Sequence, residues 1–282
     1  MINTVYMVTR LDQKNAFSLA SNLESHLKDK GIEIIVEPNL AKLMKSTSHS
    51  MPLNKMRADL IVAIGGDGTL LKTALHIPRP ETPILAVNMG KRGFLTEIGP
   101  EEMLTAVDKC IKGDYILETC SKLSSVVGRK KMPDALNEFL IASTSLSKVI
   151  GLRILKDKRV ITEYYCDGLI IATSTGSTAH SLSAGGSVLD PDLDAFILTP
   201  ICPLTPTPSI IFSYKNTIQI QLIKMKKKVR VSIDGQYQIL INKKNEINIK
   251  KSKHQTRLVR FKKKFYNRLR SRFTSFHYRE EK

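Results

Sequence analysis

"LIVAIGGDGTLL", Leu60 to Leu71, divides in the middle. Leu60 to Ile64 is an unbroken aliphatic run, short and without polar alternation, so it reads as a strand covered on both faces. Gly65, Gly66 and Gly68 then surround Asp67, and "TLLKTALH" continues at helical spacing. A doubly buried strand that passes through a glycine turn into a helix is one step of a parallel α/β sheet. Ligands of such sheets bind outside the carboxyl ends of the strands, which is where Asp67 falls. The aspartate is therefore either a turn former or a reagent held where a ligand arrives.

The three glycines permit positive φ and put no Cβ in the way, so backbone N–H groups can converge on phosphate oxygens. A helix beginning near Thr69 adds the positive end of its dipole. The common phosphate loops do not fit. The Lys-Ser/Thr ending of G-x-x-x-x-G-K-[ST] is missing, and Leu71 stands where G-x-G-x-x-G needs its third glycine. Bound phosphates repel a free carboxylate unless it binds a cation or takes a proton from a nucleophile. That combination is the pattern of phosphoryl transfer to a hydroxyl.

Working outward, "NTVYMVT", "IEIIVE" and "PILAVN" read as further strands. Between them Ala16, Leu19, Ala20, Leu23 and Leu27 recur at helical spacing, with Gly31 at the stop. "PEEMLTAVDKCIKGD" is a helix with Pro100 at its start and Gly113 past its end. After Tyr115 the texture changes to short β-branched runs separated by turn signals, an all-β, sandwich-like region interrupted only by a helical "GSTAHSLSA". In "LVRFKKKFYNRLRSRF", Phe261, Phe265, Leu269 and Phe273 lie four apart, as in a basic amphipathic helix. The expected division is 1–115 as the α/β domain, 116–256 as the all-β domain and 257–282 as the C-terminal helix.

Of the net charge of +18, the residues from Lys224 onward hold 20 Lys+Arg against 4 Asp+Glu, a net of +16. Such a basic end suits an anionic partner or a solvated lysine-rich surface. It contains no aromatic-interleaved recognition motif, so a nucleic-acid partner is not expected. No stretch of about 18 apolar residues suggests a membrane span, and "MINTVYMVTR" carries no secretory pattern. Cys110, Cys120, Cys166 and Cys202 lack metal-ligand spacing. These features point to a cytoplasmic protein without a protein-built metal site.

A second stretch, "DGLIIATSTGSTAHSLSAGG" (Asp167 to Gly186), is another strand followed by a polar loop and a short helix. Hydroxyls and N–H groups of Thr175, Ser177 and Thr178 could hold sugar or phosphate oxygens there. GGDGT alone also occurs in lipid kinases and 6-phosphofructokinases. Together with the second stretch it resembles the NAD kinase family. "LNE" (Leu136 to Glu138), "SIDGQ" (Ser232 to Gln236), "NMGKRGFLTEI" and "TPICPL" resemble further family segments in the right order.

The resemblance implies an α/β domain followed by an all-β domain, with the C-terminal helix returning to the first and the active site between them. It implies transfer of the γ-phosphoryl group of ATP, with Mg²⁺, to the 2′-hydroxyl of the adenosine ribose of NAD. Some members also accept polyphosphate, and the family usually forms homodimers or homotetramers. Asp67 would be the general base. Gly66, Gly68 and Thr69 would line the phosphates, with Lys72 one helical turn on. Asn137 and Glu138 would hold ribose hydroxyls. Asp167, with Tyr165 nearby, would bind the nicotinamide end. Thr178, Ala179, His180, Ser181, Leu182 and Ser183 would line the nucleotide pocket, and Gln236 would close it. Lys148 stands where the family often has a basic residue. His180 replaces a usual Tyr, Ser174 and Ser187 replace prolines, and Leu204 replaces a usual His. An imidazole at 180 would stack on a purine with less area than a phenol.

Overall fold

The computed structural model describes residues 2–274 except Gln13, Lys91, Arg92, Leu146, Ser147, Lys226, Lys227, Lys263 and Lys264. The described residues form two compact units, one of the chain up to Thr119 with the segment from Thr256 onward, the other Cys120–Gln255.

The first unit contains β1 (Thr4–Thr9), α1 (Lys14–Asp29), β2 (Glu33–Val36), α2 (Pro38–Met44), β3 (His49–Ser50), β4 (Leu60–Gly65), α3 (Asp67–His76), β5 (Ile84–Asn88) and α4 (Met103–Lys112). The strands pair in parallel in the order β5-β4-β1-β2-β3. Every residue of β4 is buried, as its unbroken aliphatic run requires. Leu23 and Leu27 of α1 and Val107 of α4 belong to the core cluster that contains Leu60, Val62 and Ile64. The chain leaves β1 toward one edge and β4 toward the other, so the boundary between these two strands is the switch point of the sheet. Asp67 lies just beyond the end of β4.

The chain passes from the first unit to the second within β6 (Ile116–Val127) and returns within β17 (Ile247–Arg260). Between them come β7 (Lys130–Lys131), β8 (Glu138–Ser143), β9 (Ile150–Lys156), β10 (Arg159–Cys166), β11 (Gly168–Thr173), α5 (His180–Ser183), β12 (Ala195–Ile201), β13 (Ile210–Ser213), β14 (Ile218–Lys224), β15 (Val229–Ile233) and β16 (Tyr237–Ile241). One antiparallel sheet runs β13-β12-β11-β8-β15-β16. A second pairs β10, β9, β14 and the start of β17. This is the all-β, sandwich-like region that the short runs suggested. Inside "RVITEYYCDGLIIAT" the chain changes sheets at Asp167, between β10 and β11.

Three local readings change. The expected helix over 257–282 is a strand through Arg260, and its helical part is α6 (Phe265–Thr274); residues 275–282 lie outside the described residues. The four-residue spacing of the aromatics extended the helical pattern backward across a strand whose buried positions include Ser252 and Thr256. Second, β12 forms from "AFILTPI", which the pattern reading passed over. Pro200 lies past Leu198, the last residue of β12 that pairs with β13, so its missing N–H breaks no bond on that side. Third, "STSHSMP" contributes the two-residue β3 rather than loop alone.

Candidate active site

In the first unit the site is built at the joint of β4 and α3. The expected positive φ is not used: Gly65, Gly66 and Gly68 all keep negative or extended backbone, as Gly66 does at φ −113°. At Gly65 the missing side chain is what counts, because an added Cβ would lie 2.8 Å from Thr69 Cβ and collide with its hydroxyl. The first turn of α3 can therefore close directly onto the end of β4. The helix starts at Asp67, two residues earlier than expected, which places the carboxylate in its first turn. The dipole favours an anion there, and Thr69 N and Leu70 N close the first turn on Gly66 O at 2.9 and 3.3 Å. Thr69 is half-buried, while Gly68 and Lys72 are exposed.

The Asp67 carboxylate is held by three consecutive backbone amides of the loop after β5. Oδ2 accepts from Phe94 N at 2.8 Å, and Oδ1 accepts from Leu95 N at 3.0 Å and Thr96 N at 3.1 Å. A carboxylate has about four lone-pair sites. Three are filled, and the remaining one lies on Oδ2 of a half-buried side chain. The loop that holds it also lines a cleft of about 420 Å³, whose walls include Asn88, Gly93, Thr96, Glu97 and Arg268. Sequence reading singled out Asp67 but not the amides that orient it, because backbone donors carry no side-chain signature.

In the second unit three distant motifs converge. The β15–β16 hairpin turns through Asp234 (φ 48°) and Gly235 (φ 66°), closed by Gln236 N on Ile233 O at 2.9 Å. Asp-Gly is the pair that this tight turn favours. The turn places the Asp234 carboxylate under the entry to β8. Its oxygens accept from Leu136 N at 2.7 Å, Asn137 N at 2.8 Å and Glu138 N at 2.9 Å. From the other side, Thr173 N donates to Asn137 O at 2.9 Å and Thr173 Oγ1 donates to Leu136 O at 2.7 Å. Gly176 then packs on the same backbone, where an added Cβ would stand 2.5 Å from the Asn137 carbonyl carbon.

This vise leaves two acceptors over. Asn137 Oδ1 and Glu138 Oε2 are buried and have no hydrogen-bond partner. An unsatisfied buried polar atom costs about 1–3 kcal/mol, so both are poised for donors from a ligand. Burial, and then the Asp234 charge, push the Glu138 carboxyl up to about 8. Asp234 is itself raised by burial, against the pull of its three amides and of Lys122.

The other expected ligand residues divide. Asp167, His180, Ser183, Gln236 and Lys148 are exposed, and Ala179 and Leu182 are half-buried. Tyr165 is exposed, with Lys224 Nζ 5.8 Å from its ring centre. Ser177 and Thr178 do not offer their hydroxyls outward: both are buried and bond Ser174 O at 2.6 Å and Thr175 O at 3.1 Å. Buried Ser181 meets Thr199 Oγ1 at 2.8 Å. These three shape the loop, and an outward role falls to backbone and neighbouring residues. Leu204, the departure from the usual His, is 68% exposed.

Residues 5–115 match the family model described as the ATP-NAD kinase N-terminal domain, and residues 136–261 match the ATP-NAD kinase C-terminal domain. An NAD kinase of Methanothermobacter thermautotrophicus is 38% identical over 269 residues, 94% of either chain. The chain belongs to the NAD kinase family. An NAD kinase of Thermococcus kodakarensis is 36% identical over 276 residues, covering 95% of this chain and 99% of its own. Among solved structures, an Archaeoglobus fulgidus NAD kinase in complex with ATP is 27% identical with a TM-score of 0.76, covering 95% of this chain and 99% of its own. Yeast NADH kinase complexed with NADH shares the fold at 23% identity and a TM-score of 0.89, covering 100% of this chain and 90% of its own. Both motif groups lie inside the matched segments.

Proposed function

We propose that this chain phosphorylates the 2′-hydroxyl of the adenosine ribose of NAD with ATP, giving NADP. Membership of the NAD kinase family fixes the reaction class. The observation that carries the assignment of roles is the Asp67 carboxylate, held by three amides with one acceptor site left on Oδ2. The 2′-hydroxyl donates to that site. As its oxygen bonds to the γ-phosphorus and the β–γ bridge to ADP breaks, its proton passes to Asp67. Orientation by fixed amides keeps the base in line without reorganisation during the step.

Asn137 Oδ1 and Glu138 Oε2 accept from ribose hydroxyls, which satisfies both buried atoms at once. Exposed His180 stacks on adenine, and Asp167 meets the nicotinamide end. Among the described residues no three His, Cys, Asp or Glu side chains gather into a cation cage. Mg²⁺ is assigned to the ATP phosphates as part of the substrate. Among the described residues no helix is long and apolar enough to cross a membrane. The basic C-terminal segment is partly committed internally: Arg260 and Arg268 pair with Glu97, and Arg257 pairs with Glu81. We assign the protein to the cytoplasm, as a homo-oligomer.

The test is NADP⁺ formation from NAD⁺, ATP and Mg²⁺, with polyphosphate as a second donor. Formation of NADP⁺ is expected. A folded protein that forms none with either donor overturns the assignment.

A further inference from the structure

We propose that Arg260, Arg268 and Glu97 form a clamp that positions Asp67 for catalysis. This inference rests on the reading of Asp67 as the proton acceptor and adds the residues that hold it in place. All of its members lie in the first unit.

The Asp67 carboxylate is only as well placed as residues 94–96, whose amides hold it. That loop follows Gly90 and Gly93, residues without a conformational preference of their own. It is gripped from the C-terminal segment. Leu95 is held at both ends of its peptide units: its N–H points at Asp67 Oδ1, and its carbonyl accepts Arg260 Nη1 at 2.7 Å. The same Nη1 reaches Glu97 Oε2 at 3.2 Å, while Arg260 Nε bonds Glu118. Glu97 follows the last of the three amide donors, and its side chain is fully buried. Its Oε1 accepts Phe261 N at 3.1 Å, and its Oε2 accepts Arg268 Nη2 at 2.5 Å. Phe265 packs edge-on against Phe94, with ring centres 5.7 Å apart.

Strand end and helix α6 thus seize one short loop through a carbonyl, a carboxylate and an aromatic ring. The bonds span more than 160 residues of sequence, so local propensity cannot replace them. Burial, and then the Arg260 charge, hold the Arg268 guanidinium below its usual value, and Glu97 is the counter-charge common to both cations. Planar guanidinium forks suit this shared geometry better than an ammonium. Arg268 also lines the cleft at the loop that holds Asp67, so a direct phosphate contact is the competing role to be separated.

The experiment is a double-mutant cycle on kcat, with Arg268→Met and Asp67→Asn alone and together. A misplacement near 1 Å can cost about 10²-fold in rate. Arg268→Met is therefore expected to lower kcat roughly 10- to 100-fold, with KM for NAD and ATP within about threefold. Arg268→Lys should recover part of that loss. In the Asp67→Asn background, Arg268→Met should change kcat by less than about threefold, because no base remains to be misplaced. Phe265→Leu, which keeps every charge, provides a milder second probe of the same cycle. Equal losses in both backgrounds would make the clamp merely structural and overturn the proposal. So would a KM for ATP raised more than about tenfold with kcat preserved, since uniform binding would then be what Arg268 supplies. An Asp67→Asn enzyme near wild-type kcat is a different result: it removes the base reading and the clamp falls with it.

Discussion

Asp67 and Asp234 are held in the same way and serve different ends. Each carboxylate accepts three consecutive backbone amides, one on Oδ2 and two on Oδ1. Asp67 is half-buried, whereas Asp234 is 4% exposed. The hydrogen-bond pattern is therefore no guide to role. In the second unit the carboxylate serves the amides, bending the entry to β8 so that Asn137 and Glu138 project as acceptors. In the first unit the amides orient the carboxylate and leave one acceptor site on Oδ2, the site we propose a substrate hydroxyl takes. Exposure decides the difference, and it follows from where each aspartate falls: one at the open switch point of a parallel sheet, the other in a tight hairpin turn beneath a neighbouring strand.

The comparison can be broken first at its buried member. Asp234→Ala leaves three amides without their acceptor beneath β8. It should lower stability by about 3–5 kcal/mol, read from denaturant unfolding. Glu138 sharpens the same region through pH. Its folded carboxyl titrates at about 8, above the ordinary value of 4.5, so the folded state binds more protons between those limits. The stabilisation is complete below about pH 4.5 and declines as pH rises toward 8, by up to about 1.4 kcal/mol per pH unit. Glu138→Gln should flatten that slope. If ribose hydroxyls donate to the ionised group, NAD affinity should instead rise with pH up to about 8, and the variant should lose that dependence. Gly176→Ala forces a methyl against the Asn137 backbone and should cost about 1–3 kcal/mol while raising KM for NAD. The smallest effect on stability belongs to Asp67→Asn, at about 1 kcal/mol, because the amide oxygen can still accept from the buried Leu95 and Thr96 N–H groups and only the half-buried Phe94 loses its acceptor.

The parts written as periodicity were legible from the start. An aliphatic β4 running into GGDG announced the parallel sheet and put Asp67 at its open end. Pro100 and Gly113 bracketed a helical stretch that forms a 3₁₀ turn followed by α4, with Gly113 at φ 81°. What stayed hidden depends on distance or on polar residues in interior positions. β17 was obscured because Ser252 and Thr256 occupy buried places, with Ser252 bonded to Asp134. Ser177 and Thr178 looked like ligand groups because a hydroxyl in a loop can turn either way, and here both turn to their own backbone. Asp234 is a turn residue, but its three partners lie almost 100 positions earlier. The Glu97 contacts to Arg260 and Arg268 are likewise invisible to any local window.

The most direct measurement is kcat for NADP⁺ formation by Asp67→Asn, with NAD binding measured on the same protein. A positioned base contributes about 10²–10⁴ in rate. The variant should lose activity in that range while its Kd for NAD stays within about threefold of the parent. A kcat within a few fold of the parent would show that Asp67 is a second Asp234, an anchor for its loop and not the acceptor of the proton.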